Sequence, residues 1–358
     1  MATTTKTFER HELQIVVETP QKEYSPEVPA TGTQYLESRK ILVSFIQFLV
    51  YTWNPAELQQ KSPVVIWIGP PPVGEGLNLL TLMFPEVNWF IYPGPHRQDV
   101  GGAAAPLGGG AATSPERVII FDATVSDANP GAGVFTDATA DYWKLIQARD
   151  SNVFIFSQLT LSKDEADLRT DLIRQAAWVR TINPVASSLK LRLPYVTDPE
   201  RKGSEFKYLW GPVFVQPWGP RQSTECRLIP VKDRTGDYVE KSFNTKEMES
   251  KLFWHNTVRR VSFNYPPIEG DGAVKYDMAA EFFTLSDYLH NRTKEPPSPR
   301  LILSFSQAID RYTRSGTTPR VPGGIPTLGS VGPQVSAGVA TPGKPLIPIR
   351  RGLVPVRK

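Results

Sequence analysis

Pro63-Val-Val-Ile-Trp-Ile-Gly69, running on into Pro70-Pro-Pro-Val-Gly-Glu-Gly76, is the stretch on which the fold turns. A short unbroken apolar run from Val64 to Ile68, bounded by proline and glycine, is the pattern of a strand buried on both faces, as in a parallel sheet. The glycine-containing turn after it leads into an apolar stretch with helical spacing that ends near Phe84. Strand, tight turn and helix in that order form the repeating unit of an α/β fold.

Working outward, the unit recurs. Upstream, Tyr35, Leu36, Ile41, Leu42, Phe45, Phe48 and Leu49 repeat near helical spacing from a cap at Thr33 to Trp53. Downstream, strands are predicted at Val87–Tyr92, Arg117–Phe121 and Asn152–Ser157. Helices are predicted around Tyr142–Ile146 and over Lys163–Arg180. Alternating strands and helices give a doubly wound α/β domain with helices on both faces of a parallel sheet. Beyond Pro184 strands dominate: Leu189–Leu193, Tyr208–Gln216, Glu225–Val231 and Val258–Phe263. Helices follow at Thr245–Asn256, Tyr276–Arg292 and Leu301–Tyr312. The chain divides into an N-terminal extension (1–32), a main domain (33–312) with a Gly/Ala-rich loop at 101–115, and a Pro/Gly-rich basic tail (313–358) expected to be disordered.

Composition narrows the function classes. The chain has 358 residues, 40% hydrophobic and 21% charged, and a net charge of +4. Residues 311–358 hold eight Lys or Arg and no acid, so removing their contribution leaves residues 1–310 at −4. Basicity therefore belongs to the tail, which suits tethering, RNA or an acidic partner face. The longest apolar run, Ile41–Tyr51, is too short to span a bilayer, and membrane insertion is not expected. A single cysteine, Cys226, excludes an internal disulfide, and the four histidines show no metal-ligand spacing.

The most unusual segment is Asn183-Pro-Val-Ala-Ser-Ser-Leu-Lys-Leu-Arg-Leu-Pro-Tyr195. It places Lys190 inside an alternating apolar strand, where an inward-facing cation is costly without partners or a task. Most lysines in strands point to solvent. The segment resembles the motif of the poxvirus-type cap-specific mRNA (nucleoside-2'-O)-methyltransferase and poly(A) polymerase regulatory (stimulatory) subunit family. That resemblance implies a Rossmann-like, S-adenosylmethionine-dependent methyltransferase fold with N- and C-terminal additions.

It also implies a site. The family's catalytic set is lysine, aspartate, lysine, glutamate, and the matching positions are Lys40, Gln158, Lys190 and Glu225. Lys190 is implied as the base for a ribose 2'-hydroxyl. A lysine serves that task where burial or a second cation favours its neutral form. Gln158, in Ser157-Gln-Leu-Thr, replaces the aspartate with an amide that hydrogen-bonds without carrying charge. The cofactor-binding positions correspond to Gly69, Gly74 and Pro93, and Pro93 stands where the family has an acid for the cofactor ribose. Tyr24 and Tyr195 match the two rings that sandwich the methylated cap base, a contact worth roughly 1–3 kcal/mol per stacked base. Asp198 and Glu249 match the acids at its edge. Singly, each has a plainer reading: Tyr24 as an anchor of an extended segment, Lys40 and Glu249 as solvated helix residues, Glu225 as an ordinary strand carboxylate.

Two function classes stay open. The first is a 2'-O-ribose methyltransferase acting on capped mRNA with S-adenosylmethionine. The second is a catalytically inactive, methyltransferase-like structural or RNA-binding subunit of a virion or of a viral transcription or polyadenylation complex; Pro93 and Gln158 speak for it. The implied partners are capped mRNA and a viral poly(A) polymerase catalytic subunit, RNA polymerase or capsid components. The implied location is the virion or the host cytoplasm in a viral factory.

Overall fold

The computed structural model describes residues 6–25, 36–53, 62–72, 76–94, 118–121, 134–149, 151–159, 165–192 and 205–313. The expectations for Thr33, Gly74, the 101–115 loop, Tyr195, Asp198 and the tail beyond 313 lie outside the described residues.

A 3-10 turn, Arg10–Leu13, runs into β1 (Gln14–Ile15). Then come α1 (Glu37–Thr52), β2 (Ser62–Ile68), α2 (Gly76–Met83), β3 (Asn88–Tyr92), β4 (Val118–Ile120), α3 (Asp137–Arg149), β5 (Ser151–Ser157), α4 (Glu165–Ile182) and β6 (Ala186–Arg192). The second half holds β7 (Glu205–Leu209), β8 (Val213–Phe214), β9 (Glu225–Leu228), β10 (Glu240–Asn244), α5 (Thr245–Trp254), a π-helical turn His255–Arg259, α6 (Arg260–Ser262), α7 (Tyr276–Thr293) and α8 (Pro299–Thr313). Among the described residues, no helix is long and apolar enough to cross a membrane.

Eight strands form one sheet in the order β1-β8-β9-β6-β5-β2-β3-β4. From β4 to β6 every pairing is parallel; from β6 outward through β9, β8 and β1 every pairing is antiparallel. A separate hairpin pairs β10 with β7. Within the parallel part, the first strand in the chain, β2, lies beside the fourth, β5, so strand order reverses between them. That reversal point, at the carboxyl ends of the two strands, is where open α/β sheets form their binding crevice.

Neighbouring residues of one strand report the two faces. Trp89 of β3 packs on Phe45 of α1 at 5.3 Å between ring centroids, and Phe90 packs on Trp143 of α3 at 4.6 Å. Adjacent residues of a strand point to opposite faces, so α1 and α3 cover opposite sides of the sheet. On the α1 side, Phe45, Phe48, Trp67 and Phe156 form one aromatic cluster under the sheet centre. Helix α1 is buried from Ser38 to Leu49 because α7 and α8 pack over it as a further layer. Its Arg39 is held in that layer by Glu281 of α7, with both N–H···O contacts at 2.8 Å, and by Asp310 of α8 at 3.0 Å. This layer explains why Lys40 is not the solvent-side residue an amphipathic α1 suggests: it is 6% exposed.

Two strand expectations are corrected. Val258–Phe263 is the π-helical turn and α6, because buried Arg260 donates to Asp277 of α7 at 2.8 and 2.7 Å and Arg259 lies 5.0 Å over Trp254, which keeps the helical path. The expected strand Tyr208–Gln216 is broken into β7 and β8 at Trp210-Gly-Pro212, where the chain crosses tightly beneath Ile229.

Candidate active site

Three secondary-structure elements bring three of the four implied catalytic residues together. Lys190 of β6 and Arg227 of β9 are direct cross-strand partners, as are Arg192 and Glu225. Glu225 and Arg227 are two apart on one strand and share a face with Lys190, the face that α1 covers. From α1, Lys40 reaches down to the same carboxylate. Lys40 Nζ lies 3.2 Å from Glu225 Oε1 and Lys190 Nζ lies 3.0 Å from Glu225 Oε2, so one carboxylate holds two ammonium groups.

The electrostatics follow from that clasp. Burial alone would raise the Glu225 carboxyl, but Lys190, Lys40 and Arg227 outweigh it and hold the group well below the usual carboxylate range. Arg227 is drawn down to about 10 by its own burial, against the pull of Glu225, and is still a cation at neutral pH. Its guanidinium lies 4.4 Å over the Phe156 ring and donates through Nη1 to the Ser157 carbonyl at 2.5 Å.

Arg227 and Gln216 were not among the residues singled out from sequence. With its amide turned to suit both neighbours, Gln216 donates to Glu225 Oε1 at 2.7 Å and accepts from Arg227 Nε at 3.1 Å. The alternation Glu225-Cys226-Arg227 carried a usable signal, since residues i and i+2 of a strand face the same side. Gln216 had none, because it lies just beyond β8 and reaches the site only through the antiparallel pairing.

The backbone around Glu225 is itself braced. Glu225 N–H donates to Ser223 Oγ at 3.1 Å, and Asn256 Nδ2 donates to the Ser223 carbonyl at 2.8 Å. Arg260 Nη1 donates to Asn256 Oδ1 at 3.0 Å and to the Gly219 carbonyl at 2.9 Å. The π-helical turn supplies Asn256, and such turns recur at functional sites.

Gln158 follows β5 at the strand-order reversal. The β5–β6 ladder runs to the Phe156–Ser188 pair, two residues before both Gln158 and Lys190. The Gln158 N–H donates to the Ile68 carbonyl at 2.6 Å, and Gln158 is 5% exposed. Gly69, at the end of β2, has φ +101°; a Cβ there would lie 2.9 Å from the Gln158 backbone, so only glycine lets the two strand ends meet.

A nucleotide-like methyl donor would border Gly69 and the Gln158 backbone at this reversal point. Pro93 is buried after β3, beside a Tyr92 whose hydroxyl accepts from Trp143 Nε1 at 2.9 Å. A proline side chain accepts no hydrogen bond. Pro93 therefore offers no side-chain acceptor to the ribose of such a donor.

Of the implied cap-binding residues, two are described. Tyr24 packs edge-on against Phe253 of α5 at 5.2 Å, and Glu249, 6% exposed, lies one turn before Phe253 on that helix. The Lys22 N–H donates to the Ser250 carbonyl at 3.1 Å, which ties the Tyr24 segment to α5.

Residues 138–312 match the model of a family described as poly A polymerase regulatory subunit. The chain is 26% identical over 154 residues to a cap-specific mRNA (nucleoside-2'-O-)-methyltransferase of Myxoma virus (strain Lausanne), covering 41% of this chain and 43% of the relative. It is 32% identical over 135 residues to the protein of the same name from Fowlpox virus (strain NVSL), covering 36% and 41%. The chain thus spans less than half the length of these relatives. The family match falls on residues 138–312, the part of the chain that includes β5, β6, Lys190, Glu225 and Arg227, and over that part the chain is similar to the poly(A) polymerase regulatory subunit family.

Proposed function

We propose that the chain methylates the ribose 2'-hydroxyl of capped RNA, with Lys190 as the proton acceptor. The observation that carries this reading is the Lys40–Glu225–Lys190 clasp at 3.2 and 3.0 Å, set where the parallel and antiparallel parts of the sheet meet, one strand from the strand-order reversal. The donor, S-adenosylmethionine in methyltransferases of this type, supplies an electrophilic methyl group when bound. The protein's own tasks are to place the hydroxyl, take its proton and keep water out. Glu225 fixes the direction of both ammonium groups, Gln216 and Arg227 fix Glu225, and Lys190 Nζ is the atom that receives the proton. Tyr24 with Tyr195 holds the cap base, and Glu249 and Asp198 read its edge.

The names of the relatives support RNA as substrate, and the family description supports a poly(A) polymerase as partner, in a viral cytoplasmic setting. The test is methyl transfer to a short capped RNA, read by mass spectrometry, with donor and cap analogue binding measured separately by calorimetry. Wild-type transfer and a loss of at least about 100-fold in Lys190→Met are expected. Transfer that survives Lys190→Met sinks the reading. Cap binding without donor binding identifies instead a binding subunit that kept the fold.

A further inference from the structure

Two buried donors, Gln158 Nε2 just past β5 and Arg227 Nη2 on β9, have no acceptor among the described residues. The residues are 5% and 2% exposed. The two residues meet at the end of β5. Arg227 Nη1 donates to the Ser157 carbonyl, which is part of the peptide bond that begins Gln158, so the guanidinium reaches across β6 to the backbone beside the amide. A buried N–H without an acceptor is costly, and orphaned donors in a native fold point to a group that binds there.

The chemistry of that group is set by its surroundings. Arg227 is a buried cation, its Nε and Nη1 are already used by neutral oxygens of Gln216 and Ser157, and Lys190 is its direct partner on β6, the strand next to β5. Gln158 offers an N–H where a carboxylate would instead have neutralised the guanidinium. The place lies at the carboxyl edge of the parallel strands, and Lys190 and Glu225 are partly exposed there. A water would satisfy one lone donor, but an oxyanion satisfies both and offsets the cation.

We propose that Gln158 Nε2 and Arg227 Nη2 form an oxyanion site that takes a phosphate group. It stands apart from methyl transfer, since no proton or methyl group moves.

The test is a thermal shift of the full chain in inorganic phosphate against chloride at equal ionic strength, with a short uncapped oligoribonucleotide as a second arm. At about tenfold excess over Kd, phosphate is expected to raise the unfolding midpoint by about 2–4 °C. Gln158→Met, which removes the donor without adding charge, is expected to weaken the ligand about tenfold. Gln158→Asp, which brings its own carboxylate to Arg227, is expected to abolish the shift; circular dichroism checks that both variants fold. A shift with inorganic phosphate identifies a free anion as ligand, and a shift with the oligonucleotide alone identifies a backbone phosphate. Either supports the proposal if it is lost in Gln158→Asp. No shift in either arm, or one that persists in both variants, overturns it. Methyl transfer is assayed separately, so its failure and the failure of this site remain distinct.

Discussion

Lys190 and Glu225 meet at 3.0 Å as diagonal neighbours across the antiparallel β6–β9 ladder, while each has a different residue as its direct partner. The ladder fixes their backbones, so the ion pair is built by the sheet and then completed by Lys40 from α1.

Replacing Glu225 by Gln leaves two ammonium groups without their shared carboxylate. A destabilisation of roughly 2–3 kcal/mol at pH 7 is expected. The carboxyl is held below its ordinary 4.5 in the fold, so its stabilisation is complete above that value and is lost as pH falls toward the folded value. Urea unfolding of wild type and Glu225→Gln should show curves far apart at pH 7 and converging below about pH 4.5. A constant gap down to pH 3 would show that the clasp does not supply the stability.

His255 carries a pH effect of the other kind. It is 1% exposed, packs edge-on against Tyr276 at 4.6 Å, and neither ring nitrogen has a hydrogen-bond partner among the described residues. Burial first, then Arg259 and Arg260, hold it well below 6.5. The unfolded chain therefore takes up a proton that the folded chain refuses, and wild-type stability falls as pH drops below 6.5. In His255→Phe the slope between pH 6.5 and 5 is expected to shrink. An unchanged slope would place the acid sensitivity elsewhere.

Glu281 of α7 accepts from Arg39 twice, from Trp218 Nε1 at 2.8 Å and from Ser306 at 2.6 Å, all in the interior. Glu281→Gln strands a buried guanidinium and is expected to cost about 3–5 kcal/mol in urea unfolding. A loss under about 1 kcal/mol would mean that Asp310 alone can hold Arg39.

Gly211 sits where a Cβ would lie 1.9 Å from the Ile229 carbonyl oxygen. Gly211→Ala must push two backbone segments apart, and a loss of roughly 3 kcal/mol is expected, with a clear drop in Tm. Because β9, which carries Glu225, pairs with β8 next to this crossing, the variant is also expected to weaken the proposed methyl transfer. A Tm within one degree of wild type would show that the crossing has slack.

The parallel core was readable because its signals are local. Val64–Ile68 and Asn152–Ser157 are apolar runs closed by turn residues, and both became central strands. The same locality misled at Val258–Phe263, where β-branched and aromatic residues suggest a strand. There a distant partner, Asp277, captures Arg260 and holds the turn helical. Lys40, Lys190 and Glu225 were picked out by resemblance to a family, and nothing in their spacing foretold that they converge. Arg227 escaped notice because an arginine in a strand is ordinarily solvated, whereas here the aromatic floor of Phe156 buries it.

Periodicity and turn chemistry alone determined that this is a layered α/β chain, because side-chain burial repeats every two residues in a strand and every 3.6 in a helix. The clasp around Glu225 and the pair of unsatisfied donors at Gln158 and Arg227 were decided by the tertiary structure. They depend on strand order and ladder register, which bring distant segments within 3 Å of one another, and on a helical layer over α1 that turns a surface lysine into an interior one.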